Sequence, residues 1–436
     1  MNLPQLKIGD LIARRPIVQG GMGVGISLSG LASAVANEGG VGVIATPMIG
    51  IEEPDITTDP VGANRRALVK QIRRCRELSQ GVIGVNIMCA LTNFADLVKT
   101  SVKEKADIIF VGAGLPLDLP AHLPTVEEMG GKMKTKIAPI VSSGRAATLI
   151  CRKWLKKYNM LPDAFVVEGP KAGGHLGFKA EQLDDPDFCL EKILPETIEA
   201  VKAFEEAKGC PIPVIAAGGV YSGQDICKFL DMGAAGVQMG TRFVATHECD
   251  ADPRFKQAFI NAGPSDMHVI KSPVGLPGRA VNNDFLRAVE NGQKHPAKCP
   301  FHCLSTCKQD LSPYCIARAL INAKRGILKH GFAFAGSNAY LVEKIISVKE
   351  LMNSLVEEAQ ECKAGAKQYF EERKETAKRY IEDVKGQMNE KLGDVKGQLE
   401  DVKGQVAGKL EGVKEQMVEK LQEKMAERFK TASESE

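Results

Sequence analysis

Short apolar runs rich in β-branched residues recur through the first 245 residues, each closing on small or polar residues. They are "PIVQGG" (16–21), "VGVIAT" (41–46), "GVIGVN" (81–86), "DIIFVGAG" (107–114), "IAPIVSSG" (137–144), "AFVVEG" (164–169), "PVIAAGG" (213–219) and "GVQMGT" (236–241). Amphipathic helical patterns lie between them, such as "ANRRALVKQIRRCRELSQ", "RAATLICRKWLKKY" and "SGQDICKFLDMGA". Only the crossover around 116–136 is irregular. Alternation of strand and helix predicts a parallel sheet, and near-continuous apolar strands predict one covered on both faces. Eight such units over about 230 residues have the size of a (β/α)8 TIM barrel. A doubly wound sheet is the runner-up. It usually has fewer strands and a glycine fingerprint opening its first helix. Here "GGMGVG" (20–25) is out of that frame, and no acidic residue ends the second strand.

The alternation stops near residue 250, which divides the chain into an α/β barrel (1–250), a mostly helical lid segment over the barrel mouth (251–362) and a tail (363–436). Within the lid, "DPRFKQAFINAG", "NDFLRAVENG" and "CIARALINAKRGIL" read as helices, and "IKSPVGLPGRAV" (270–281) as a loop or short strands. In the tail "DVKGQ" begins at 383, 394 and 401. Ile381, Val384, Met388, Leu392, Val395, Leu399, Val402, Val406, Leu410, Val413, Met417 and Leu421 follow one another at steps of three or four, an amphipathic helical stripe. Glycines at 386, 393, 397, 404, 408 and 412 each weaken such a helix by about 0.8–1 kcal/mol relative to Ala. The expectation is a solvated, partly disordered helical tail; the alternative is that it gains order on a membrane surface, a protein partner or itself.

Composition narrows the function. Of 436 residues 44% are apolar and 25% charged, a globular balance, and the formal charge of +3 sets up no field for nucleic acid. No secretory leader and no run long enough to span a membrane is evident. Twelve cysteines are scattered mostly singly, which suits a reducing cytoplasm better than a disulfide framework.

Barrel active sites lie at the C-terminal strand ends. These ends carry Gln19-Gly20-Gly21-Met22-Gly23, Asn86, Ser142-Ser143, the stretch "EGPKAGGHLGF" (168–178), Gly218-Gly219 and Met239-Gly240-Thr241-Arg242. The glycines after strands seven and eight offer bare backbone N–H groups, and "YSGQDI" opens a helix beside them, an arrangement suited to a phosphate. Bare backbone at 20–23 and the amide of Asn86 on the far side suit a flat heteroaromatic ring. FMN meets both demands, and a sugar phosphate is the smaller alternative.

Taken in order, "PIVQGGMG", "GVNIM", "EGPKAGGHLGF", "PVIAAGGV" and "GVQMGTRF" resemble the nitronate monooxygenase (2-nitropropane dioxygenase) family, whose architecture is shared by flavin-dependent enoyl-acyl-carrier-protein reductases. The resemblance covers about residues 10–250. It implies an FMN-containing barrel acting on a small molecule. Gly21, Met22 and Gly23 would lie along the flavin ring, Asn86 at its polar edge, and Gly173 and Gly174 close by. Gly218, Gly219, Gly240 and Thr241 would hold the phosphate. His175 takes the place of the active-site histidine of AGGH-type members, where an imidazole assists proton removal or polarises the substrate. Lys171 departs from the pattern, standing where an acidic residue is often found. Glu168 is a possible second polar group.

Two activities follow from the resemblance: oxidation of alkyl nitronates with O2, or transfer of hydride from NAD(P)H to an enoyl thioester or quinone. A third reading makes the barrel a scaffold for the tail. Cys299, Cys303, Cys307 and Cys315 are weak metal candidates, and free, partly buried thiols in the lid are the favoured reading. Their spacing matches neither zinc pairs nor ferredoxin runs, and the first three share a face only if "FHCLSTCK" is helical.

Overall fold

The computed structural model describes residues 3–293 and 299–433; the first two and last three residues of the expected domains, and 294–298 of the expected lid, lie outside the described residues. The chain forms two compact units, Met1–Lys363 and Ala364–Glu436.

In the first unit an antiparallel hairpin of β1 (Leu6–Ile8) and β2 (Leu11–Ala13) precedes the barrel. The barrel strands are β3 (Ile17–Gln19), β4 (Val41–Ala45), β5 (Val82–Met88), β6 (Ile108–Gly112), β7 (Lys136–Val141), β8 (Phe165–Glu168), β10 (Val214–Ala217) and β11 (Gly236–Met239). All eight pair in parallel, in sequence order, and close through β11 on β3. The TIM barrel expected from the pattern is the fold. The irregular fourth crossover holds only a 3-10 turn (Leu119–His122) and a helical turn (Val126–Met129).

Neighbouring residues along each strand face opposite layers. Val18, Val43, Phe110, Ala138, Val166 and Ile215 fill the barrel interior, joined there by Leu6, Ile8 and Ala13 of the hairpin. Ile17, Ile44, Ile109, Ile137, Val167 and Ala216 pack outward against the helices. Both faces are therefore dry, which is why these strands read as continuous apolar runs.

The region after the barrel is less helical than expected. Its helices, Pro253–Ile260, Asp284–Glu290 and Ile316–Lys324, alternate with an antiparallel hairpin of β12 (Met267–Lys271) and β13 (Pro277–Val281). The strand β9 (Gly174–His175) adds to β13, with Gly278 opposite His175 and Arg279 opposite Gly174. "EGPKAGGHLGF" is thus not a free loop. Its Gly174–His175 pair is a strand whose partner comes about 100 residues later, a separation that local patterning does not show.

A single helix, Val348–Ser433, begins in the first unit and makes up the second, the helical tail that the amphipathic pattern predicted. A disulfide joins Cys227 to Cys362 within the first unit, with Cα atoms 6.3 Å apart and a sequence separation of 135. The expectation of single thiols fails for this pair, because only the fold brings the two helices together.

Candidate active site

One cavity of about 270 Å³ opens at the C-terminal strand ends, near the lower bound of about 300 Å³ for small-molecule sites. Gly21, Met22, Gly23, Asn86, Gly173, Gly174, His175, Gly218, Gly219, Gly240 and Thr241 all line it, so the fold gathers every expected flavin-site residue around one space. Glu168 and Lys171 line it too.

At one wall Gln19 is fully buried and bridges β3 to β4: its amide donates to the Gly20 carbonyl and accepts from the Val43 N–H at 2.9 Å. This fixes the turn carrying Gly21–Gly23. A Cβ at Gly21 would overlap Asn86 Cβ, so glycine there lets the turn lie directly on the asparagine.

At the opposite wall Gly218 and Gly219 have φ of +90° and +93°, left-handed values that favour glycine. Their N–H groups make no hydrogen bond among the described residues. Two adjacent unpaired donors fit a phosphate. The nearby helix start was expected to add to this site and does not. Ser222 and Asp225 form a capping box there, and the Gly223 N–H donates to Glu358 at 2.7 Å. The helix end is already satisfied by carboxylates of the chain itself. Cationic character comes instead from Lys171, whose Cβ lies 2.9 Å from the position a Gly219 Cβ would take.

His175 stands on the third wall. Its Nε2 is 2.7 Å from Ser272 Oγ, and its ring meets Phe334 edge-on at 5.0 Å. Ser272 is buried and accepts from the Val274 N–H at 3.3 Å, which leaves its own proton free for the imidazole. Burial pushes the imidazole down to about 4, so it is neutral at pH 7. Burial also pushes the Glu168 carboxyl, at the end of β8, up to about 7. The site therefore pairs a neutral imidazole with a carboxylic acid that titrates near neutrality.

Sequence reasoning missed three contributors. Arg279 is buried and donates to the Pro170 and Ala172 carbonyls, holding the backbone that leads into His175. Gly336, Ser337 and Asn338 line the cavity, and Asn338 donates to the Gly219 carbonyl at 2.9 Å. Ser272 is the third. A polar "GSN" inside apolar "FAFAGSNAY" was the available signal for the second; nothing local marks the other two.

For the cysteine cluster, the helical condition on which a shared face depended is not met. Residues 301–308 are not helical. Among the described residues no three His, Cys, Asp or Glu side chains are placed to hold a metal ion. Cys299, Cys303 and Cys315 pack with Phe301 and Ile321 in an apolar cluster, burial pushing the Cys303 thiol up to about 12, and Cys307 is exposed.

A closed (β/α)8 barrel thus carries, around one cavity at its mouth, two unpaired backbone donors after its seventh strand and a histidine, the layout of a TIM-barrel enzyme site. The family profile for nitronate monooxygenase matches residues 6–358, and the chain belongs to that family. Among its relatives is the (3aS,4S,5R,7aS)-5-hydroxy-7a-methyl-1-oxo-octahydro-1H-indene-4-carboxyl-CoA dehydrogenase of Mycobacterium tuberculosis (strain ATCC 25618 / H37Rv), 28% identical over 64% of this chain and 66% of the relative's length. A probable nitronate monooxygenase of Bacillus subtilis (strain 168) is 26% identical over 79% of this chain and 96% of its own. Among solved structures, FabK from Thermotoga maritima superposes with a TM-score of 0.61 at 27% identity, over 82% of this chain and 96% of that one.

Proposed function

We propose that the chain binds FMN without a covalent bond and oxidises alkyl nitronates with O2. Bound there, the flavin supplies the electron-accepting centre. The protein's part is positional. Gly218 and Gly219 would donate to the phosphate, with Gly240 and Thr241 beside it, and Gly21–Gly23 with Asn86 would hold the ring. Neutral His175, held by Ser272, donates to or accepts from the substrate without adding charge to the cavity. The observation that carries this reading is that unpaired Gly218 and Gly219 donors and the half-buried His175 line one cavity.

A second reading has a specific support: the M. tuberculosis relative is by its name a carboxyl-CoA dehydrogenase. The name supports a thioester substrate and not this direction of electron flow; in this reading His175 would orient an enoyl thioester carbonyl, and NAD(P)H would supply, by way of the flavin, the hydride that the enoyl carbon accepts. Anaerobic mixing of purified protein with a nitronate and, separately, with NAD(P)H distinguishes the two by which one bleaches the flavin band. A colourless protein that takes up no FMN overturns both.

Two further proposals complete the picture. The helix beyond residue 364 is a contact element for a membrane surface or a protein partner. The protein works in the cytoplasm, against which the Cys227–Cys362 disulfide weighs; thiol labelling of freshly lysed cells reports whether that pair is reduced.

A further inference from the structure

Beyond Ala364 the helix turns an apolar stripe to solvent: Val395 is 61% exposed, Leu399 56% and Leu410 65%. The stripe repeats every eleven residues, with Val384, Val395, Val406 and Met417 in one row and Met388, Leu399, Leu410 and Leu421 in another. Eleven residues exceed three helical turns by only about 20°. The stripe therefore runs almost straight from Ile381 to Leu421, over about 60 Å at the usual helical rise.

Viewed down the axis, the stripe spans about 100°. Lys385, Lys396, Lys403 and Lys414 border one edge, and Lys391, Lys409 and Lys420 border the other. The carboxylates of Asp383, Glu390, Asp394 and Asp401 sit on the opposite face. Gly386, Gly397, Gly404 and Gly408 lie there as well, so no missing side chain interrupts the stripe.

This order of apolar, cationic and acidic zones selects the occupant. A second copy laid on the stripe in either direction brings lysine rows against lysine rows, because both edges carry the same sign. Coiled coils place opposite charges at those positions. A layer of anionic headgroups matches both edges at once. The stripe enters the acyl boundary, the lysine stems lie along it with their ammonium groups at headgroup level, and the carboxylates stay in water. No helix among the described residues is long and apolar enough to cross a membrane, so the segment lies on the surface.

We propose that residues 381–421 bind in the plane of an anionic lipid surface. This rests on reading the helix as a contact element and names what it contacts. The test is flotation of the full chain with vesicles of phosphatidylcholine alone or with phosphatidylglycerol added, together with sedimentation of the free protein. Binding that needs the anionic lipid and weakens with added salt is expected. The double variant Val395→Asp, Val406→Asp should partition at least about tenfold more weakly, while Asp394→Asn on the far face should bind at least as well as the parent. Matching thermal unfolding of the variants shows that the barrel is intact. Flotation that ignores these substitutions or the lipid charge overturns the proposal. If the protein stays off vesicles but self-associates through the stripe, the lipid occupant is wrong and the contact reading survives. If it does neither and also captures no protein partner through the stripe, both fail.

Discussion

His175 Nε2 and Ser272 Oγ lie 2.7 Å apart although 97 residues separate them in the chain. The contact exists because β9 joins the hairpin of β12 and β13, which brings a residue at the end of that hairpin onto a barrel loop. Ser272 is thereby a positioning residue for the imidazole. Ser272→Ala should lower kcat by about tenfold, the weight of one hydrogen bond, with flavin absorbance retained. His175→Asn should cost about 10²–10⁴-fold in kcat, again with flavin retained. Steady-state kinetics beside the absorbance spectrum checks both, and loss of flavin in proportion to activity would make His175 structural.

Glu168 and His175 give opposite pH dependences. The Glu168 pKa is raised by folding, so the folded state holds a proton that the unfolded state has released, and stability present in acid is lost as pH rises through about 7. The His175 pKa is lowered to about 4, so its contribution is present above the unfolded value of about 6.5 and lost as pH falls from there. Thermal unfolding across pH should show both limbs. Glu168→Gln should remove the alkaline one and leave the acid one.

Lys171 is the cation beside the Gly218–Gly219 turn. Lys171→Glu should weaken FMN about tenfold and leave riboflavin, which lacks the phosphate, nearly unchanged. Fluorescence titrations with the two flavins measure this. Equal losses for both would move Lys171 away from the phosphate.

Arg279 bridges two backbone carbonyls ahead of His175. Arg279→Met leaves both acceptors buried without a donor and should cost about 1–3 kcal/mol for each. Denaturant unfolding gives the total, and the activity of the remaining folded protein should fall with it.

The Cys227–Cys362 bridge spans a sequence separation of 135. Reduction, or Cys227→Ser, should lower stability by about 2–4 kcal/mol. Unfolding with and without a thiol reductant reads this directly, and an unchanged midpoint would show that the bridge adds nothing.

The barrel was legible because strands buried on both faces carry their own signature, as "DIIFVGAG" and "PVIAAGG" do. The strand-end glycines were legible for the same reason: once the strands are placed, their C-terminal ends are fixed. His175 could be placed at the mouth, but not its partner, since Ser272 lies in a segment with no periodicity that points to the barrel. The anion site beside Ser222 was misread because Glu358, which occupies that helix end, comes from the far end of the fold. For the cysteine cluster, spacing alone does not show which way the thiols turn, and burial with Phe301 decides it for Cys299, Cys303 and Cys315.

The sequence by itself determined which segments become strands, which of their ends face the mouth, and the charge order around the helix of 381–421, because periodicity and burial are properties of neighbouring residues. Only the tertiary structure decided what stands across the cavity from those ends: Ser272 on His175, Arg279 on the Pro170 and Ala172 carbonyls, Asn338 on Gly219, and Cys227 on Cys362. Each of these pairs residues about 100 or more positions apart. Their energy is gained only after the chain has closed loops of that length, so no local pattern records them.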